Sequence, residues 1–266
     1  METEIKSFDQ EIEAGVDEAG RGPIAGPVSA AAVILNPRKK IEGLKDSKKL
    51  SAKARANLSD EIKKNALSWK IVLIDREIID KINILEATLL AMKQAVEGLD
   101  VQPKIILIDG ENAIDTLIPC EAIVNGDQKV ESIMAASILA KVHRDEFMND
   151  LDAKFPDYGF KSHKGYGTRE HLLALRLFGA CEEHRLSFKP VKDIVEKEEA
   201  KLAEETKLKL LVREKLRTLD DDQISYWLKQ QADKESSEYV LKLRGLLNEE
   251  WKYIKAASLL RKNNNK

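Results

Sequence analysis

Five acids in this chain are set where they could do chemistry. Asp17 and Glu18 open the loop Asp17-Glu18-Ala19-Gly20-Arg21-Gly22-Pro23-Ile24-Ala25-Gly26-Pro27-Val28, straight after an apolar, strand-like run, and Asp109, Asp127 and Asp145 follow singly. Acids at strand ends are expensive to gather, because unit charges ~4 Å apart repel by roughly 4 kcal/mol at an effective dielectric near 20. A gathered set implies a divalent cation and points to metal-assisted chemistry on phosphate esters. Oxygen-only ligation suits Mg2+ or Mn2+. The histidines His143, His163, His171 and His184 show no H-x-x-x-H spacing, which argues against zinc.

Each acid also has a plainer reading. Asp17 and Glu18 cannot share one face of a regular strand, since side chains alternate, so their joint use requires the strand to end at Asp17. Gly20 and Gly22 favour such a turn and leave the backbone open to a ligand; the alternative is a solvated acidic turn. Asp109 closes the buried-type strand Lys104–Ile108 and precedes Gly110, which fits either a ligand at the carboxyl end of a strand or an ordinary Asp-Gly turn. Asp127 precedes a long helix and could simply cap it. Asp145 lies inside that helix, one residue past Arg144, where a surface ion pair is favoured over a metal. The loop Ser162-His163-Lys164-Gly165-Tyr166-Gly167-Thr168 sets a cation beside an aromatic ring and reads equally as a phosphate-and-sugar contact or as a turn.

Nucleotide-binding alternatives fail on spacing. Gly20, Gly22 and Gly26 do not satisfy G-x-G-x-x-G, Pro23 and Pro27 would break the helix that such a loop must open, and no G-x-x-x-x-G-K-[ST] occurs.

The elements that must position these acids form an α/β pattern. Ile12–Asp17, Val28–Leu35 and Ser68–Asp75 read as strands, the first two antiparallel because the loop between them is too short for a crossover helix. Ser51 caps a helix running to about Lys64, and Asn83 one running to about Gly98 with Ile84, Leu85, Thr88, Met92 and Val96 on one face. Lys104–Ile108 and Glu121–Val124 are two further strands, with room for a short helix between them and parallel pairing as the expectation. Val130 to Phe155 carries Ile133, Met134, Ser137, Ile138, Lys141 and Val142 at helical spacing. The fold class expected is α/β, a mixed five-stranded sheet flanked by helices.

All seven prolines lie at or before Pro190, and beyond it Gly245 is the only glycine. Residues 1–190 are therefore expected to form one domain and 191–266 an all-helical extension. In the extension, Leu243, Leu246, Leu247, Trp251 and Ile254 make an apolar stripe with Ser236 or Ser237 as N-cap, and Tyr226, Trp227 and Leu228 a second cluster. It reads as a small helical bundle, with partner docking and auxiliary duplex binding as alternatives. Its 17 Lys or Arg against 15 Asp or Glu are too balanced for a nucleic-acid arm.

With 43% hydrophobic residues and a net charge of −2, the chain has an ordinary globular composition and lacks an overall basic footprint. The free-thiol reading of Cys120 and Cys181, the acidic start and the absence of a long apolar run point to a soluble, unexported protein of the reducing cytosol, with no membrane partner.

Asp17-Glu18-Ala19-Gly20-Arg21-Gly22-Pro23 resembles the type 2 ribonucleases H, in particular the bacterial ribonuclease HII family. The likeness continues through Asp46-Ser47-Lys48-Lys49-Leu50-Ser51, Ile108-Asp109-Gly110, Gly126-Asp127, Ser132 to Asp145, His163-Lys164-Gly165-Tyr166 and His184-Arg185-Leu186-Ser187-Phe188. It covers roughly Glu11 to Val191 and leaves the tail unexplained. The resemblance implies a ribonuclease H fold and two-metal-ion cleavage of RNA in RNA–DNA hybrids and 5′ to ribonucleotides embedded in duplex DNA, leaving 5′-phosphate and 3′-hydroxyl ends. It places Asp17, Glu18, Asp109 and Asp127 as the metal-binding carboxylates. It also implies that the backbone around Gly20, Arg21 and Gly22 contacts the ribose 2′-hydroxyl, that Tyr166 packs on the following deoxyribose, and that Lys48, Lys49 and Lys164 contact phosphate. A monomer is expected, with any unknown partner reached through the tail.

Overall fold

The structure, a computed structural model, describes residues 12–44, 50–232 and 235–263. Five strands, β1 (Glu13–Ala19), β2 (Val28–Ile34), β3 (Ser68–Ile74), β4 (Ile105–Asp109) and β5 (Cys120–Ile123), form one sheet in the order β3-β2-β1-β4-β5. The β1–β2 and β2–β3 pairs are antiparallel, whereas β1–β4 and β4–β5 are parallel. The mixed five-stranded sheet is the one expected. Residues 110–119 form no helix before β5.

Helices cover both faces. On one lie α2 (Arg76–Ile82) and α3 (Ile84–Glu97), on the other α1 (Ala52–Asn65) and α4 (Glu131–Lys154). β2 (VSAAAVI) is buried along its whole length, because Ala30 and Ala32 face α3 while Ala31 and Val33 face α4. Small side chains there let a helix lie close on either side. Ser51 and Asn83 cap α1 and α3 as their types suggest. The third strand stops at Ile74 instead of Asp75, and Asp75 caps the unexpected helix α2 by accepting from the Ile78 N–H at 3.0 Å.

Gly15 lies hard against the backbone of α4. A Cβ there would lie 2.1 Å from the Ser132 carbonyl carbon and 2.2 Å from the Ile133 nitrogen, so glycine alone lets β1 rest on the first turn of α4.

After α4 come α5 (Phe160–His163), α6 (Arg169–Phe178), α7 (Lys189–Thr218), α8 (Asp221–Ala232) and α9 (Ser237–Asn263). Chain contacts divide the protein into one compact unit ending at Val195 and a second beginning at Glu196, five residues beyond the expected 190/191 boundary. The first turns of α7 account for the difference, since Val191 is fully buried and packs with Ile24 and Leu175. The second unit is helical and has its own core of Leu208, Val212, Leu243, Leu246 and Leu247. Trp227 and Leu228 pack against that same core and Tyr226 is exposed, so among the described residues these three form no cluster of their own. Ser236 caps α9. Ile254 lies beyond the described side chains. Among the described residues no helix is long and apolar enough to cross a membrane.

Candidate active site

Strand β1 does not stop at Asp17. It runs on to Ala19, with Asp17 opposite Ala31 and Glu18 opposite Ala30 on β2. Strict alternation therefore sends Asp17 toward α4 and Glu18 toward the α3 face. The two still converge, because on the other side of β1 the pairing with β4 ends at Val16–Ile108. The carboxylates straddle the end of β4, where Asp109 sits. Requiring the strand to end was too strict; ending the neighbouring strand suffices.

Asp17 is 5% exposed. Burial first, and then the charges of Glu18 and Asp109, hold its carboxyl well above the usual range, although the Ser137 hydroxyl of α4 and the Glu18 N–H both hydrogen-bond to it. Burial also raises Glu18, opposed by Arg21 at 3.4 Å. Asp109 accepts the Asp127 N–H at 3.1 Å, which ties the 3-10 turn Gly126–Gln128 to the end of β4. Asp127 is not the cap of α4: Val130 holds that position and makes no side-chain cap bond. Asp145 pairs with Lys141 at 2.7 Å, the surface ion pair expected of it, while Arg144 is turned inward.

Two strands, β1 and β4, and one turn thus bring Asp17, Glu18, Asp109 and Asp127 to one edge of the sheet. Among the described residues no three His, Cys, Asp or Glu side chains are packed tightly enough to cage an ion unaided. Like charges at such range repel by several kcal/mol, so the protein alone does not draw them to ligand distance. A buried carboxylate starved of positive charge, among oxygen-only donors, fits a hard divalent cation.

The loop after β1 is pinned to two others. Ile24 N–H donates to the Gly165 carbonyl, Gly26 N–H to Glu183, and Arg185 N–H to Ile24, each at 2.9 Å. Tyr166 is 47% exposed, and its ring edge stands 3.3 Å from where a Gly22 Cβ would be. Two residues singled out separately in the sequence are therefore neighbours. Lys164 sends its ammonium to the Asn149 side chain on α4 and its carbonyl to Arg144. Lys48 and Lys49 lie outside the described residues. His163 serves the turn, with Nε2 bonded to the Tyr158 carbonyl and Nδ1 accepting from Gly165.

Sequence reading missed Arg144 and Arg185. Both are at most 1% exposed and together make seven hydrogen bonds, all to backbone carbonyls: Ala25, Pro27 and Lys164 for Arg144; Gly20, Arg21, Pro23 and Gly26 for Arg185. Burial pulls Arg144 down to about 10 and Arg185, also facing the charge of Arg144, to about 9, so both stay charged at neutral pH. An arginine in a sequence reads as a surface cation, and nothing local distinguishes these two.

Scattered histidines also meet. His184 Nδ1 accepts from the Cys181 N–H, which leaves its Nε2–H to donate to His171 Nε2 at 3.0 Å; His171 Nδ1–H then donates to the Tyr166 carbonyl at 2.9 Å. Burial lowers both imidazoles to about 4. The unfolded chain, titrating near 6.5, binds more protons than the folded one between pH ~6.5 and ~4, so this pair loses stability as pH falls through that window. Asp17, raised by folding, acts in the opposite sense. In Asp17→Asn protein kept in chelator, the urea midpoint should drop from pH 6.5 to 4, and adding His184→Gln should flatten that slope. An unchanged slope would contradict the assigned protonation.

The sheet order and the acids at its edge define a ribonuclease H-like nuclease. A family model for ribonuclease HII matches residues 14–191. The ribonuclease HII of Delftia acidovorans is 57% identical over 182 residues, covering 68% of this chain and 77% of that protein. The crystal structure of ribonuclease H2 from Pyrococcus horikoshii OT3 superposes with a TM-score of 0.60 at 26% identity, over 70% of this chain and 97% of the other. Bst-RNase HIII in complex with Mn2+ shares the fold, with a TM-score of 0.54 at 19% identity over 70% of this chain and 69% of that one. The chain belongs to the ribonuclease HII family, hydrolases that act as endonucleases on the RNA of RNA–DNA hybrids.

Proposed function

We propose that, beyond cleaving RNA–DNA hybrids, this protein acts as a monomer that nicks duplex DNA on the 5′ side of embedded ribonucleotides, leaving 5′-phosphate and 3′-hydroxyl ends. The observation that carries this reading is the placing of Tyr166 against Gly22, one loop away from the buried Asp17 carboxylate. A duplex that lays a ribose on the Gly20-Arg21-Gly22 backbone brings the next sugar to the tyrosine ring.

In this reading Asp17, Glu18, Asp109 and Asp127 hold the catalytic cations, Mg2+ or Mn2+, the latter being the ion bound by the Bst-RNase HIII neighbour. When bound, a cation pair supplies an activated water and charge stabilisation at the leaving 3′ oxygen. The protein's own part is positioning. The Ser137 hydroxyl and the Glu18 N–H donate to the Asp17 carboxylate. Arg21 steadies Glu18, and the Asp127 N–H fixes Asp109. Backbone N–H groups read the 2′-hydroxyl, by which RNA is told from DNA. The Tyr166 ring packs on the following deoxyribose. Lys164, with Lys48 and Lys49, supplies sequence-independent phosphate contacts.

Tyr166→Ala tests the junction reading. Sugar and base packing on an aromatic ring amounts to ~1–3 kcal/mol, so single-turnover cleavage at one embedded ribonucleotide should fall roughly 10–100-fold while affinity for all-DNA duplex changes little. Equal losses in both assays would reduce Tyr166 to a packing residue.

A further inference from the structure

We propose that Arg185, buried behind the loop and touching no reacting atom, is the positioning residue that gives this enzyme its ribose selectivity. This role rests on the reading above, in which the Gly20-Arg21-Gly22 backbone meets the 2′-hydroxyl, and Arg185 is the device behind that contact. One guanidinium nitrogen of Arg185 donates to the Gly20 carbonyl at 2.7 Å, the other to the Arg21 carbonyl at 3.0 Å and the Pro23 carbonyl at 2.7 Å. A trans peptide is planar, with its C=O and the following N–H pointing in opposite directions. Drawing the Gly20 and Arg21 carbonyls inward therefore turns the N–H groups of Arg21 and Gly22 outward. Among the described residues neither N–H finds a protein acceptor. The later N–H groups of the loop do not reach a ligand: Pro23 and Pro27 have none, Ile24 donates to Gly165, Gly26 to Glu183, and Ala25 is fully buried. Two consecutive outward donors at the mouth of the acid cluster make a concave oxygen-binding site.

Arg185 is held for this task from behind. The segment carrying it pairs with the loop through the Ala25–His184 bridge and the Arg185 N–H to Ile24 bond. The Phe188 ring lies 5.0 Å from its guanidinium carbon. Gly20, at φ +99°, has no side chain, and a Cβ there would meet Arg144 Nε at 2.1 Å. Arg144 serves a different stretch, since its bonds to Ala25, Pro27 and Lys164 turn no free N–H outward. The two arginines are thus expected to separate in function. Lysine at position 185 keeps the charge but cannot span four carbonyls with a flat fork.

The test compares full-length wild type, Arg185→Lys and Arg144→Lys in chelator, where no strand is cut, by fluorescence anisotropy. The probes are two labelled duplexes, one all-DNA and one with a single ribonucleotide. Wild type should prefer the ribonucleotide duplex by ~5–10-fold, as expected of one or two extra hydrogen bonds. Arg185→Lys should bind both alike, at the wild-type affinity for all-DNA, and Arg144→Lys should keep the preference while melting lower. A preserved preference in Arg185→Lys, or an equal loss in both variants, overturns the inference. No preference in wild type sinks the ribose reading itself, and the inference with it. If Arg185→Lys does not fold, amide NMR of wild type decides. The Arg21 and Gly22 signals should shift on adding the ribonucleotide duplex and not the all-DNA one, and static signals overturn the proposal.

Discussion

Asp17→Asn should lower hybrid cleavage at least ~10³-fold while leaving the fold intact. The loss follows from removing one charge from the proposed cation-holding set, where several kcal/mol of transition-state stabilisation are at stake and each 1.36 kcal/mol is a factor of ten. The fold should survive because asparagine is nearly isosteric and can still accept from Ser137 and from the Glu18 N–H, the two donors that hold the aspartate. It should even melt higher than wild type in chelator at neutral pH. There the wild-type carboxylate is 5% exposed and repelled by Glu18 and Asp109, a cost the amide does not carry. Added Mg2+ or Mn2+ should raise the melting temperature of wild type and much less that of the variant. Retained cleavage in a clean preparation would remove Asp17 from the cation site, and a sharp drop in melting temperature would make it a structural residue instead.

Gly15→Ala should produce the largest loss of stability of any single methyl added to the sheet. The new carbon would sit 2.1 to 2.4 Å from three backbone atoms of Ser132 and Ile133, none of which can rotate away. Relief requires α4 to shift by about an ångström, and overpacking against backbone costs ~3 kcal/mol or more. That shift would carry Ser137 away from Asp17, so cleavage should fall along with stability. Urea unfolding and hybrid cleavage of the same preparation check both, and a change below ~1 kcal/mol would mean that the helix yields freely there.

The sheet was legible because its strands are marked by composition. Val28–Ile34 and Ile105–Asp109 are short apolar runs with proline, glycine or acid close by, and the long helix after Val130 is a stretch free of glycine and proline with an apolar first half. The acids stood out because strands deliver them to one edge: Asp109 is the last residue of β4, and Asp17 and Glu18 belong to β1 beside it. What escaped was long-range. Arg185 lies more than 150 residues from the carbonyls it holds, and His171 meets His184 across a turn, so no local pattern marks either. Helix α2 escaped because Asp75, which follows β3 directly and caps the helix, reads by composition as the last residue of the strand. The end of β1 was misjudged by treating one strand alone, when the convergence of Asp17 and Glu18 depends on where its neighbour β4 stops.

The most direct test of the central claim is cleavage of duplex DNA carrying one ribonucleotide. It is run with Mg2+, with Mn2+ and with chelator, beside all-DNA duplex and Asp17→Asn controls. A cation-dependent nick on the 5′ side of the ribonucleotide, absent from both controls, is the expected result. No nick from folded protein that still cleaves a long RNA–DNA hybrid would contradict the junction reading.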